Sequence, residues 1–84
     1  MPNTTPFTDI ELQAMTEDEI RYYALVDRIN LDEIDGKQNC INEFKRMSQQ
    51  IADAGHTSKY LQDTSRYEAG KADGIARIRS RRGA

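Results

Sequence analysis

Three capping boxes, each with its own hydrophobic staple, stand in the first part of this chain and constrain its fold more than any other feature. Thr8 precedes Glu11 by three residues, with Phe7 before it and Leu12 beyond. Thr16 precedes Glu19 in the same way, flanked by Met15 and Ile20, and Asn30 precedes Glu33, flanked by Ile29 and Ile34. At this spacing the cap side chain accepts from an orphan amide, the glutamate reaches back to the cap's own N–H, and the apolar pair closes over the turn. One match is easily fortuitous. Three, each stapled, predict helix starts near residues 9, 17 and 31.

The stretch opened by the third box carries the clearest periodicity. Ile34, Ile41, Phe44, Met47, Ile51 and Ala54 recur at sevens, threes and fours, which is a helical stripe. Gly55 follows as a left-handed C-cap, so a helix is expected over 31–54. Gly36 interrupts it at a cost of up to about 1 kcal/mol, and marks either a kink or the true start of the helix. Ahead of it the pattern predicts a short helix at 9–14 and a second at 17–29. The second has Tyr22, Val26 and Ile29 on one face and Ile20 and Ala24 on another, so burial on more than one side is expected.

A turn at His56–Ser58 leads into a fourth helix, expected over 58–79. Ser65, Ala69, Ala72 and Ala76 form a small-residue strip along it, and Gly70 and Gly74 lie four apart. Two glycines inside a helix cost about 1–2 kcal/mol together. Close packing on the 31–54 helix is the expected compensation, and the short turn predicts antiparallel neighbours. The fold class is therefore all-α: a small helical hairpin or bundle of three to four helices. It forms one domain over 1–84, with a frayed N-terminus (1–7) and a basic C-terminal tail (77–84).

With 84 residues, 37% of them hydrophobic and none of them Trp, the chain has a lean core. A domain of this size buries only about 60–65% of its unfolded surface, so help from a second copy is expected. Cys40 is the only cysteine, which rules out an internal disulfide and reads as a small buried apolar residue. The first residues hold no basic group and no apolar run, and no stretch approaches a membrane span. A cytoplasmic protein without membrane contact is expected (in the host cytoplasm, were it phage-encoded).

Net charge is −2 but unevenly spread. Residues 1–36 hold nine acids against Arg21 and Arg28, whereas residues 37–84 hold ten Lys and Arg against five acids. The favoured explanation is that the halves pack on one another, within the chain or between copies.

No residue set points to a reaction. His56 stands directly after a helix C-cap, where a cation suits the helix dipole. No HExxH, phosphate-binding glycine loop or GxSxG is present, and the Asp32–Asp35 pair lacks the rest of a calcium loop. No catalytic residue, metal ligand or cofactor is assigned.

The expected function is therefore non-enzymatic. It is that of an inhibitor or accessory factor, in the style of phage and mobile-element proteins, that binds a protein partner. Tyr22, Tyr23, Tyr67 and Arg66 are hot-spot residue types for that partner. Ile41, Phe44, Met47, Ile51, Leu61, Ala69 and Ala72 are the expected self-association face of a homodimer or larger homo-oligomer, because the third stripe exceeds what the fourth helix can cover. The alternative is a nucleic-acid-binding accessory protein. Lys71, Arg77, Arg79, Arg81 and Arg82 would neutralise phosphates.

Overall fold

Two of the three capping boxes form. In the computed structural model, which describes residues 3–83, Thr8 caps α1 (Asp9–Ala14) and Thr16 caps α2 (Glu17–Val26). Both boxes are reciprocal. Thr8 Oγ1 accepts from the Glu11 amide at 3.1 Å, and Glu11 Oε1 accepts from the Thr8 amide at 2.9 Å. The Thr16–Glu19 pair repeats this at 3.2 and 3.0 Å. The staples close as well: Phe7, Leu12 and Ile20 are buried, with Met15 packed beside them.

The third box does not form, and the backbone explains why. α2 stops at Val26 in a Schellman motif. The amide of Ile29 donates to Ala24 and that of Arg28 to Leu25, both at 2.9 Å, with Arg28 in the left-handed region at φ 64°. This turns the chain away from the helix axis three residues before the expected end. Asn30 Oδ1 then accepts from the Asp32 amide at 2.8 Å, so it closes a local Asx turn instead of capping a helix. Leu31 is fully buried in this connection. The long helix, α3, begins only at Lys37 and runs to Asp53, with Gly36 as its N-cap at φ 93°. Gly36 is thus the boundary, and Ile34 belongs to the preceding loop. The C-terminal expectation holds. Gly55 has φ 82°, and the His56 and Gly55 amides donate to Ile51 and Ala52 at 3.1 and 3.0 Å.

The expected fourth helix is three segments: α4 (Lys59–Gln62), α5 (Thr64–Ala69) and α6 (Lys71–Gly83). Asp63 breaks the run at φ −151°, ψ 64° and caps α5 by accepting from Arg66 at 3.4 Å. Six helical segments therefore stand where three or four were expected, and no strand occurs among the described residues.

α2 is the hub, with α3, α4 and α6 all packed against it. Ile20 and Ala24 on one face and Tyr22 on the other are buried as their spacing predicts. Val26 is only partly buried, and Ile29, expected on the Tyr22 face, is buried from the loop beyond the helix end. The partner of the glycine-bearing segment, however, is α2 rather than α3. A Cβ placed on Gly74 would lie 2.2 Å from Cε1 of Tyr22, so Gly74 is the floor against which that ring packs. The strip of Ala69, Ala72 and Ala76 faces outward. The unmatched stripe of α3 is also accounted for within the chain: Cys40, Ile41 and Phe44 are buried in the common core with Tyr23, Leu12 and Ile20.

Of the N-terminus expected to fray (1–7), residues 1 and 2 lie outside the described residues, and 3–7 are tied down. Asn3 Nδ2 and Thr5 Oγ1 both donate to the Phe7 carbonyl, at 2.8 and 2.9 Å. The Phe7 ring packs 4.5 Å from Tyr23 and 4.9 Å from Tyr60 between centroids.

One buried charge fastens α2 to the loop before α3. Arg21 is 2% exposed. Its guanidinium donates to Glu17 at 2.7 Å, to Asp18 at 3.3 Å and to the Ile34 carbonyl at 2.6 Å. Replacing Arg21 by Met is expected to cost about 1–3 kcal/mol in urea unfolding, since it leaves the Ile34 carbonyl without its strong donor. Gly74→Ala is a sharper test. Helix propensity alone favours Ala by about 1 kcal/mol, yet overpacking against Tyr22 costs about 1–3 kcal/mol. The variant should be no more stable than wild type and most often less. Gly83→Ala, where nothing lies within 4 Å, should be neutral or stabilising. A G74A protein clearly more stable than wild type contradicts this packing.

Candidate protein-binding groove

The approach of α6 to α2 builds an open groove of about 500 Å³, lined by Leu25, Val26, Tyr67, Gly74, Arg77 and Ile78 among others. Tyr22 forms its inner wall. Its ring is buried and its hydroxyl donates to the Tyr67 carbonyl at 2.6 Å, joining α2 to α5. Burial pushes the Tyr22 phenol up, and the neighbouring Glu68 carboxylate adds to this, so the hydroxyl stays a donor through neutral pH. Glycines at 70 and 74 keep the opposite wall low. Arg77 and Arg81, four apart on α6, edge the groove, and the Arg66 guanidinium lies 5.8 Å from the centroid of the Tyr67 ring. Leu25 is 39% exposed beside them.

Behind the groove lies a polar cluster around Glu68. Tyr60 Oη donates to its carboxylate at 2.6 Å, and Tyr23 Oη at 3.0 Å. These bonds, that from Tyr60 first, hold the Glu68 carboxyl below its usual range. Burial pushes both phenols up, and Glu68 raises them further. Lys71 sits 4.9 Å over the Tyr23 ring and pairs with Glu19 at 2.7 Å. Burial opposes its charge, but the Glu19 and Tyr23 bonds outweigh that and raise its pKa. Near neutral pH the cluster is a carboxylate, two neutral phenols and an ammonium, each held away from titration. It braces α5 against α2 and α4 and offers no group poised to accept a proton.

The basic residues of α6 are matched by the acids of the first half. Arg79 pairs with Asp18 at 2.8 Å, Arg81 with Asp32 at 2.7 Å and Arg82 with Asp35 at 2.9 Å. Arg82 also donates to the Asp32 carbonyl. The two charged halves thus pack on one another inside one chain. Most of these groups are half-exposed, so each pair contributes about 0.2–1 kcal/mol, and their joint effect is to orient α6.

The sequence-selected residues therefore separate. Tyr22 and Tyr67 meet at the groove, joined by Arg77 and Arg81 from the nucleic-acid set, whereas Arg66 is outside its lining, beside the Tyr67 ring. Tyr23 is a core residue with its hydroxyl satisfied. Lys71, Arg79, Arg81 and Arg82 are held in ion pairs. Of the self-association set, Ile41 and Phe44 are interior, whereas Met47 and Ile51 are half-buried and Leu61, Ala69 and Ala72 exposed. Sequence reasoning missed Leu25 and Val26 as groove residues and Arg21 and Glu68 as anchors. Leu25 and Val26 stood in the run YYALV, where an apolar residue carries no mark of exposure. Arg21 had one available signal, Glu17 four residues before it.

Cys40 is buried, and burial pushes its thiol up. Among the described residues no group of three His, Cys, Asp or Glu side chains is arranged to hold a metal ion, and no helix is long and apolar enough to cross a membrane. No family model matches the chain, and neither a curated protein nor a solved structure matches it.

Asp18, Glu19 and Glu68 all have depressed pKa values, caused foremost by the hydrogen bonds of Arg79, Lys71 and Tyr60 respectively. A depressed carboxyl contributes stability that is present above its unfolded value and is lost as pH falls through the folded one. Unfolding free energy should thus be level near neutral pH with respect to these groups. It should decline once pH drops below about 4.5, the ordinary value for glutamate. Urea melts across acid pH check this, and E68Q should flatten part of the decline.

Proposed function

We propose that this chain is a small non-enzymatic interaction protein, and that the groove between α2 and α6 receives a segment of a protein partner. The observation that carries this reading is convergence. Two residues chosen from sequence as contact residues (Tyr22 and Tyr67) and two arginines from the basic run (Arg77 and Arg81) line a single apolar depression of about 500 Å³. That volume suits a few buried side chains. An apolar floor edged by Arg77, by Asp73 and by Arg81, which is already paired with Asp32, fits a helix or strand that presents aliphatic residues with a carboxylate toward Arg77, the groove-docking mode of peptide recognition. Occupying a partner's surface in this way is how an inhibitor or accessory factor of the phage or mobile-element kind acts. A cytoplasmic setting would keep the lone thiol reduced.

The nucleic-acid reading draws less support. A phosphate backbone would have to displace Asp18, Asp32 and Asp35 from Arg79, Arg81 and Arg82. That exchange gains little where the arginines are already neutralised.

A tagged copy recovers the partner from its native host. Leu25→Asp places a charge on the exposed floor of the groove and should abolish recovery of the same partner. Leu61→Asp, on a residue 63% exposed and outside the groove, should leave it intact. Equal loss, or equal retention, in the two variants rejects the groove. Anisotropy titrations with single-stranded and duplex DNA across salt concentrations complete the test. Tight binding at near-physiological salt, reduced by Arg77→Ala, would favour nucleic acid instead.

A further inference from the structure

Three buried side-chain polar atoms among the described residues find no hydrogen-bond partner within the chain: Arg21 Nε and the hydroxyls of Thr4 and Ser48. Arg21 is satisfied through its other two nitrogens. The two hydroxyls have no second group to bond through. Ser48, in α3, is only 6% exposed. Thr4 belongs to the N-terminal segment that Asn3 and Thr5 tie to the Phe7 carbonyl.

Both residues line the same small cavity, of about 30 Å³, together with Asp27, Ser58 and His56. Four pieces of the fold meet there: the N-terminal segment, the C-cap of α2, the middle of α3 and the turn that leads into α4. The apolar side of the cavity includes Ile51. Asp27 already accepts from Ser58 Oγ at 2.9 Å and from the Lys59 amide at 2.7 Å. A carboxylate has about four lone-pair sites, so it can accept again.

Size and chemistry together select the occupant. A water molecule needs about 10–15 Å³ of such space and two to four polar partners. An organic ligand needs about 300 Å³ or more. Two hydroxyl donors and one carboxylate acceptor around a space of this size are complementary to a single water, which accepts from the hydroxyls and donates to the carboxylate. We infer that this cavity binds one water molecule, which bridges Thr4 and Ser48 to Asp27 and so fastens the N-terminal segment to α3.

The sign of a stability change separates such a site from a pair of stranded hydroxyls. Deleting a stranded hydroxyl relieves an unsatisfied group, whereas deleting a ligand of a bound water breaks a hydrogen bond. Ala is also favoured over Ser inside a helix. Ser80→Ala, on an exposed residue of α6, should therefore be neutral or stabilising in urea melts. Ser48→Ala should instead lower the folded-to-unfolded ratio about threefold or more. Thr4→Val should lower it as well. The double variant should lose less than the product of the two effects, because both substitutions act on the same water. A crystal structure of the wild-type chain should show one water within about 3 Å of both hydroxyls and of the Asp27 carboxylate. Ser48→Ala as stable as wild type, or more stable, overturns the inference. Fully independent effects in the double variant overturn the bridge. Density in which the hydroxyls bond directly to each other or to Asp27, or in which a sodium ion takes the position, overturns the assignment of water.

Discussion

The seating of the Tyr22 ring on Gly74 is the contact on which the arrangement of the C-terminal half depends. Any side chain at position 74 would collide with that ring, so the glycine is where α6 can come closest to α2. From this approach the rest follows. Ile78 enters the core one turn later, the Tyr22 hydroxyl reaches the Tyr67 carbonyl, and the basic residues of α6 arrive over the acids of α2 and the loop before α3. The conformational cost of glycine in a helix is offset by packing that no larger residue permits.

Charge acts after that approach and refines it. The acids that cap and start α1 and α2 lower the energy of those helix N-termini, and several then serve a second purpose as partners of α6. Glu19 closes the capping box of Thr16 and also accepts from Lys71. Asp18 touches both the buried Arg21 and the exposed Arg79. The lopsided distribution of charge along the sequence is therefore an intramolecular pairing code spread over the length of the chain. It leaves Arg77 and Asp73 at the edge of the apolar groove.

Two surfaces remain after the core is filled, and they differ in kind. The α2/α6 groove is apolar, with Arg77 and Asp73 at its edge. The depressions along α3 mix both signs, with Glu33, Glu43, Arg28 and Lys59 around Ile29, Met47 and Ile51.

The sequence by itself determined that the chain is helical, where α1 and α2 begin, where α3 ends, that α3 carries an apolar stripe and that Cys40 is interior. These are local matters. A capping box or a left-handed glycine acts over four residues, and a stripe's period is visible without knowing its partner. Only the tertiary structure decided the rest, including that Ile41 and Phe44 are buried within the chain and not held for a second copy. The Asn30 box satisfies the same local rule as its two neighbours. It fails because the Schellman turn at Arg28 and the burial of Leu31 redirect the chain first. Tyr23 and Tyr22 are indistinguishable in composition, yet one is a core brace and the other a groove wall. Whether Gly74 met α2 or α3, and whether the arginines of α6 faced phosphate or their own carboxylates, depended on which elements packed together. Residues far apart in the chain carry no local mark of that choice; it is made by the summed burial and charge pairing of the whole domain.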